Sequence, residues 1–190
     1  MWPILIAYGL ISCFFLVERL LRQGKQARSF QRGQADRGST SAIGAAFGLA
    51  LLTLLVAPLL NWQGFGALSN ERIAWGGIIL MLMGLGFRIW AARVLGAFYT
   101  RTLLTAENQQ IITQGPYRLI RHPGYLGTLL IWFGAGCATS NWMVILIIVA
   151  PLVAAYWYRM QAEEALLLAT FPQEYPRYVS QTWRLIPYLY

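Results

Sequence analysis

Residues 2–37 read WPILIAYGLISCFFLVERLLRQGKQARSFQRGQADR. The first sixteen form an apolar run that closes at Glu18-Arg19. A secretory signal carries its positive charge before such a run and a small-residue cleavage site after it. Here nothing basic precedes the run, and Arg19, Arg22, Lys25, Arg28, Arg32 and Arg37 follow it against one acid, Asp36. That order predicts a retained membrane helix reaching to about Leu21, then a loop that its positive charge holds in the cytoplasm. The Gly, Gln and Ser content of the basic segment suits a loop. A nucleic-acid-binding arm is the competing reading of the six bases, and the apolar sequence on both sides argues against it.

Composition agrees with a membrane protein. Of 190 residues, 57% are hydrophobic and 12% are charged, and the mean hydropathy is +0.50. Soluble domains are about 25% charged, so roughly half of the usual charge is missing. This excludes a soluble enzyme, a nucleic-acid-binding domain and a disordered chain. The formal charge is +8, from 15 bases and 7 acids; in a membrane protein such a surplus mainly encodes orientation. Cys13 and Cys137 both lie in apolar runs, which argues against a disulfide scaffold or a cysteine zinc site. His122 is the single histidine, so no metal site is expected.

Residues 42–60 form a second apolar run, close to the roughly 20 residues that cross a bilayer. Residues 61–72 are a short polar loop with one acid and one base. Residues 73–95 form a third run, in which Gly76, Gly77, Gly84 and Gly86 permit close helix contact. Arg88 and Arg93, in its last third, either snorkel to the headgroups or pair inside the bundle. After the more polar stretch 96–122 come runs at 123–138 and 143–158, separated by Ser140-Asn141-Trp142, which predict a helical hairpin. The expected fold is therefore all-α: a polytopic membrane protein of about five transmembrane helices. The N-terminus is expected outside and the C-terminus inside. Loops 61–72 and 139–142 then face outward, and both polar stretches with chemistry in them, 96–122 and 159–190, face the cytoplasm. The aromatic residues of the tail (Phe171, Tyr175, Tyr178, Trp183, Tyr188, Tyr190) suit a membrane interface.

The densest group of polar and aromatic residues is 115–125, which reads GPYRLIRHPGY. Pro123 biases His122 away from helical backbone and suits a first helical position, so His122 is expected at the N-cap of the fourth span. The N–H groups of Gly124, Tyr125 and Leu126 would then be free to meet an anion. Tyr117 and Tyr125 offer ring faces to an adenine or a sulfonium cation. The alternative is an ordinary helix start with interfacial Tyr and Arg residues. Arg159 and Glu163 form a second group, spaced i,i+4 on one face of the helix that continues the fifth span. Its alternative is a surface salt bridge beside a solvated Glu164, which lies about 100° around the helix. Arg118 and Arg121 are expected on phosphate headgroups. No nucleophile elbow, P-loop or dinucleotide fingerprint is present.

Taken together, Gly115-Pro116-Tyr117, the run from Arg121-His122-Pro123-Gly124-Tyr125 through Gly127, Glu163-Glu164 and the later Glu174-Tyr175, Tyr178, Arg184 and Pro187 resemble the isoprenylcysteine carboxyl methyltransferase family. The wider group includes phospholipid N-methyltransferases. The resemblance covers residues 95–190, and spans one and two add only a compatible count. The apolar runs make residues 1–95 three helices and a basic cytoplasmic loop, and the resemblance implies residues 96–190 as a methyltransferase core. It also implies an S-adenosyl-L-methionine (SAM) pocket open to the cytoplasm, S-adenosyl-L-homocysteine as product, and a lipid-side access route for a prenylated substrate. By position, Tyr117, His122, Pro123, Gly124 and Tyr125 would contact the cofactor, as would Gln109, Gln110, Ile111 and Ile112. Gln109 stands where the family commonly has His. Arg159 and Glu163 match the substrate-side Arg and Glu.

The reading that results is an integral membrane, SAM-dependent carboxyl O-methyltransferase acting on a lipophilic or prenylated acceptor among membrane lipids. A carboxylate is already ionised at neutral pH, so its methylation needs positioning and a cation rather than a base. An amine acceptor needs a proton removed, and the chain has a single His for that. The alternatives are a phospholipid or small-lipid N-methyltransferase and a non-catalytic membrane protein with a vestigial site. Nucleic acid is not an expected partner.

Overall fold

The computed structural model describes residues 2–21, 36–68, 70–96 and 110–188. Among the described residues there are six α-helices: α1 (Trp2–Leu21), α2 (Ser39–Trp62), α3 (Glu71–Leu95), α4 (Pro123–Ala138), α5 (Trp142–Thr170) and the short α6 (Glu174–Gln181). A 3-10 turn, Gly115–Arg118, precedes α4.

Local chemistry sets the boundaries. Asn70 caps α3 by accepting from the Arg72 N–H at 3.0 Å. Asn141 caps α5 by accepting from the N–H groups of Met143 and Val144 at 3.0 and 3.1 Å. Each cap satisfies helix-terminal donors that would otherwise lack partners. Pro123 opens α4 with His122 at the N-cap, as the sequence implies. The fifth expected run is longer than its apolar part, because α5 continues through Arg159, Glu163 and Glu164 to Thr170.

The helices alternate in direction. Glu18 near the end of α1 meets Arg88 near the end of α3, and Asp36, just before α2, meets Arg159 in the second half of α5. At the opposite end, Asn61 from the end of α2 donates to the Thr139 carbonyl at 2.8 Å. Asn141, fully buried, donates to Asn61 Oδ1 and to the Phe65 carbonyl at 2.8 and 2.7 Å. The two short loops predicted to share a face are thereby bonded to each other.

α4 lies at the centre. Its Ile131, Trp132 and Ala135 are almost fully buried, among Ala7, Ile11 and Phe14 of α1, Ala50 and Leu54 of α2, Met81 of α3 and Ile148 and Leu152 of α5. Trp132 stacks on Phe47 with ring centres 5.4 Å apart. α3 and α4 approach through paired glycines. A Cβ on Gly84 would lie 2.7 Å from the Gly127 carbonyl oxygen, and one on Gly77 would strike the Gly134 carbonyl. Of the four expected contact glycines, Gly77 and Gly84 have this role, whereas Gly76 and Gly86 face open space.

Four helices, α1, α2, α3 and α5, are long and apolar enough to cross a membrane. The chain is accordingly a multi-pass membrane protein. The fifth expected crossing, α4, has 16 residues, about 24 Å at 1.5 Å per residue. Pro123 fixes its start and the turn at 139–142 its end, so it falls short of that length.

Candidate functional site

All the groups singled out around His122, Arg159 and Glu163 gather at one end of the bundle. The backbone of 119–122 is tied to the tail. Trp183 N–H donates to the Leu119 carbonyl at 2.9 Å, Arg121 N–H to the Trp183 carbonyl at 2.8 Å, and His122 N–H to the Arg184 carbonyl at 3.2 Å. This short parallel pairing delivers His122, buried, to the top of α4.

From there two carboxylates are engaged separately. Glu163 accepts from the Tyr125 hydroxyl at 2.5 Å. The same hydroxyl accepts from Arg159 Nε at 3.4 Å, so Tyr125 stands between the two members of the predicted i,i+4 pair. The Arg159 guanidinium is buried, and its Nη1 donates to Asp36 Oδ1 at 2.7 Å. The bland alternative of an exposed Arg159–Glu163 surface bridge is therefore not what forms.

Glu164 is also not the solvated residue of that alternative. It receives His122 Nε2 at 3.0 Å, Arg121 Nε at 3.2 Å, and Arg184 Nε and Nη2 at 3.0 and 2.6 Å. Being about 100° around the helix from Glu163 turns it toward the strapped tail rather than toward water. Arg121, expected on headgroups, bonds Glu164 and the carbonyls of Val179 and Thr182. Arg118 is exposed. Arg184 also lies over the Trp157 ring, 5.6 Å from its centre, a cation–π contact.

The expectation of free N–H groups at α4 needs correction. The Tyr125 and Leu126 N–H groups both donate to the His122 carbonyl, at 3.1 and 3.2 Å, because an N-cap carbonyl accepts the first intrahelical bonds. Gly124 has a different reason to be small. A Cβ there would lie 2.9 Å from Arg88 Nη1, so the guanidinium of Arg88 passes directly beneath the start of α4. Arg88 makes a two-point, buried pair with Glu18, at 2.8 and 3.2 Å. Of the two arginines in the third run, Arg88 thus pairs inside the bundle and Arg93 is exposed.

The remaining expected cofactor residues are less drawn in. Tyr117, half-buried in the 3-10 turn, has its carbonyl bonded by the Tyr178 hydroxyl at 2.8 Å. Gln110 is exposed and Ile111 and Ile112 are half-buried on irregular chain leading to that turn. Gln109 lies outside the described residues.

Aromatic rings line the cluster. His122 and Tyr125 are stacked, 5.3 Å apart and 10° from parallel, and Tyr125 lies 4.8 Å from Tyr156. The Glu163 side chain is the most open of the engaged carboxylates, at 31% exposure, and His122 Nδ1 is 3.9 Å from it. An accessible carboxylate beside parallel rings suits a cationic, aromatic ligand. A buried Arg on the same hydroxyl suits an anionic one.

Comparison with known proteins identifies the family. The family model for phospholipid methyltransferases matches residues 73–174, just over half of the chain. A protein-S-isoprenylcysteine O-methyltransferase of Dictyostelium discoideum is 27% identical over 147 residues, covering 74% of this chain and 60% of that protein. A probable protein-S-isoprenylcysteine O-methyltransferase of Oryza sativa subsp. indica is 28% identical over 119 residues, 62% of each. The chain thus spans about three fifths of the length of these curated relatives. The solved structure of the eukaryotic intramembrane Ras methyltransferase, an isoprenylcysteine carboxyl methyltransferase, superposes with a TM-score of 0.64 at 22% identity, over 98% of this chain and 68% of that one. On the family match, with the fold in agreement, the chain belongs to the phospholipid methyltransferase family.

Proposed function

We propose that the chain is a SAM-dependent methyltransferase that esterifies the carboxylate of a lipophilic acceptor, as the relatives named isoprenylcysteine O-methyltransferases do. The observation that carries this reading is the Tyr125 hydroxyl, which joins buried Arg159 to open Glu163 at 3.4 and 2.5 Å. A cation and an anion are held side by side at the top of α4. The residues fit the cofactor: His122, Pro123, Gly124, Tyr125 and Tyr117 would hold it, with Glu163 facing its positive end. SAM supplies the methyl group as an electrophile on a sulfonium sulfur. Arg159 orients the acceptor carboxylate and Glu164 fixes His122 directly while fastening the tail through Arg184, so alignment rather than proton removal is this chain's contribution. The six bases at 19–37, against one base in the loops at the other end, support an N-terminus outside and a site at the cytoplasmic face, with α4 as a short fifth crossing beside the four apolar helices.

The same scaffold supports a second reading, amine N-methylation, and the family's name favours it. Purified protein in lipid vesicles is given methyl-labelled SAM with N-acetyl-S-farnesylcysteine in one arm and phosphatidylethanolamine in the other. A labelled product that releases methanol in base establishes the ester. A base-stable labelled lipid in the second arm alone would replace it with N-methylation. No saturable SAM binding in detergent would leave a non-catalytic protein.

A further inference from the structure

The buried end of Arg159 is held from 123 residues away. Arg159 Nη1 donates to Asp36 Oδ1 at 2.7 Å, to Ser39 Oγ at 3.0 Å and to Thr40 Oγ1 at 3.1 Å. The Asp36 carboxylate is fixed in turn by the hydroxyls of Ser39 and Thr40, at 3.0 and 2.7 Å, and by the Thr40 N–H at 3.4 Å. Asp36 is 1% exposed and Ser39 fully buried. The turn that presents Asp36 passes through Arg37 at φ 45° and Gly38 at φ 84°, left-handed backbone that folds the carboxylate back over the start of α2. The Tyr158 hydroxyl donates to the Arg37 carbonyl at 2.8 Å, so adjacent residues of α5, 158 and 159, both grip this turn.

A buried carboxylate held this fully is not explained by stability alone, since a buried ion pair is often no better than packed apolar groups. What it does provide is a single orientation for a long side chain. We propose that Asp36, with Ser39 and Thr40, is a positioning residue for the acceptor site, fixing the guanidinium of Arg159 at the angle from which it meets the acceptor carboxylate. This rests on the reading of Arg159 as the acceptor's anchor. Asp36 also offsets charge: with Glu163 nearby, Arg159 faces two carboxylates, so a third is held by the geometry of the fork rather than by net charge. The defect expected on losing Asp36 is therefore in alignment, and kcat rather than acceptor KM should carry it.

The test is a cycle of Asp36→Asn and Arg159→Lys, assayed with N-acetyl-S-farnesylcysteine and labelled SAM in vesicles, with S-adenosylhomocysteine binding as the measure of folded sites. Asp36→Asn should lower kcat per folded site roughly 10- to 100-fold, the range a small misplacement costs. In the Arg159→Lys background the same substitution should change kcat less than about threefold, because its effect runs through Arg159. Equal losses in both backgrounds, or an unchanged kcat in the single variant, overturn the proposal. If Asp36→Asn does not fold, Ser39→Ala, which keeps the carboxylate, takes its place in the cycle under the same criteria. Should Arg159→Lys alone leave turnover at wild type, the acceptor reading fails and Asp36 has nothing to position. An impaired Arg159→Lys beside an unimpaired Asp36→Asn sinks this inference only.

Discussion

Replacing Glu164 by Gln isolates the junction that fastens the tail to the site. The carboxylate faces three cationic or potentially cationic groups: His122 Nε2 at 3.0 Å, Arg121 Nε at 3.2 Å, and Arg184 at 3.0 and 2.6 Å. Gln keeps the size but offers one acceptor oxygen, and its amino group would meet donors. Hydrogen bonds to charged groups contribute about 1.5–3 kcal/mol each. Here they share one carboxylate and are not additive. The Glu164 side chain is 17% exposed, which places the loss below the roughly 3–5 kcal/mol of a fully buried broken pair. A loss of about 2–4 kcal/mol follows, larger than the mild effect a solvated Glu164 would show. Denaturant or thermal unfolding in detergent measures it, with Glu174→Gln, exposed on α6, as a control expected within about 0.5 kcal/mol. A Glu164→Gln variant as stable as that control would refute the reasoning and leave the tail held by its backbone bonds and by the Arg121 and Tyr178 side chains.

Further outcomes follow from other parts of the molecule. Tyr125→Phe removes the hydroxyl between Arg159 and Glu163 and should weaken SAM binding by about 1–3 kcal/mol, read by calorimetry in detergent. Gly84→Ala should destabilise by about 1–3 kcal/mol, because its Cβ would press on the Gly127 carbonyl, while Gly86→Ala, which faces open space, should be neutral or slightly stabilising. A single cysteine at 67, which is exposed, should react with an impermeant thiol reagent from outside and one at 180, also exposed, should not; the reverse pattern inverts the proposed topology. Burial raises the Asp36 carboxyl pKa, but the hydrogen bonds from Thr40 and Ser39 and the charge of Arg159 outweigh it and hold the pKa below the usual range. The stability this gives is fully present above the unfolded value of about 4 and is lost as pH falls through the lower folded value. Wild type should therefore lose stability more steeply than Asp36→Asn below about pH 4, in unfolding titrations.

Part of this molecule was legible along the chain because the signals are local. The Pro-initiated helix at 123, the Asn-capped hairpin at 141 and the run ending at Leu21 each depend on neighbours within a few residues. The same holds for Arg159 and Glu163, whose helical spacing put them on one face. What the local pattern could not supply was their partners. Asp36, Glu18 and Arg184 find Arg159, Arg88 and Glu164 at separations of 123, 70 and 20 residues. No periodicity encodes such contacts. A weak signal did exist: Asp36 is the single acid in a six-base segment, and Glu18 closes an apolar run. An acid in such a place has to find a cation or stay in water.

The placement of these acids also bears on why the first half of the chain is folded onto the second. Glu18 just before the basic segment and Asp36 near its end come to the same end of the bundle, because α1 runs toward that end and α2 runs away from it. Each is matched to an arginine of a later helix, and each arginine lies against the top of α4: Arg88 under Gly124, Arg159 on the Tyr125 hydroxyl. Desolvating these two pairs costs several kcal/mol per ion before attraction offsets it, at a position where Leu or Phe would have packed without that penalty. An anchor helix has no need of such groups. On the proposed reading, their convergence on two consecutive residues of the motif sets α1 and α2 against the site, so helices α3, α4 and α5 without residues 1–62 should lack the partners that fix Arg88 and Arg159.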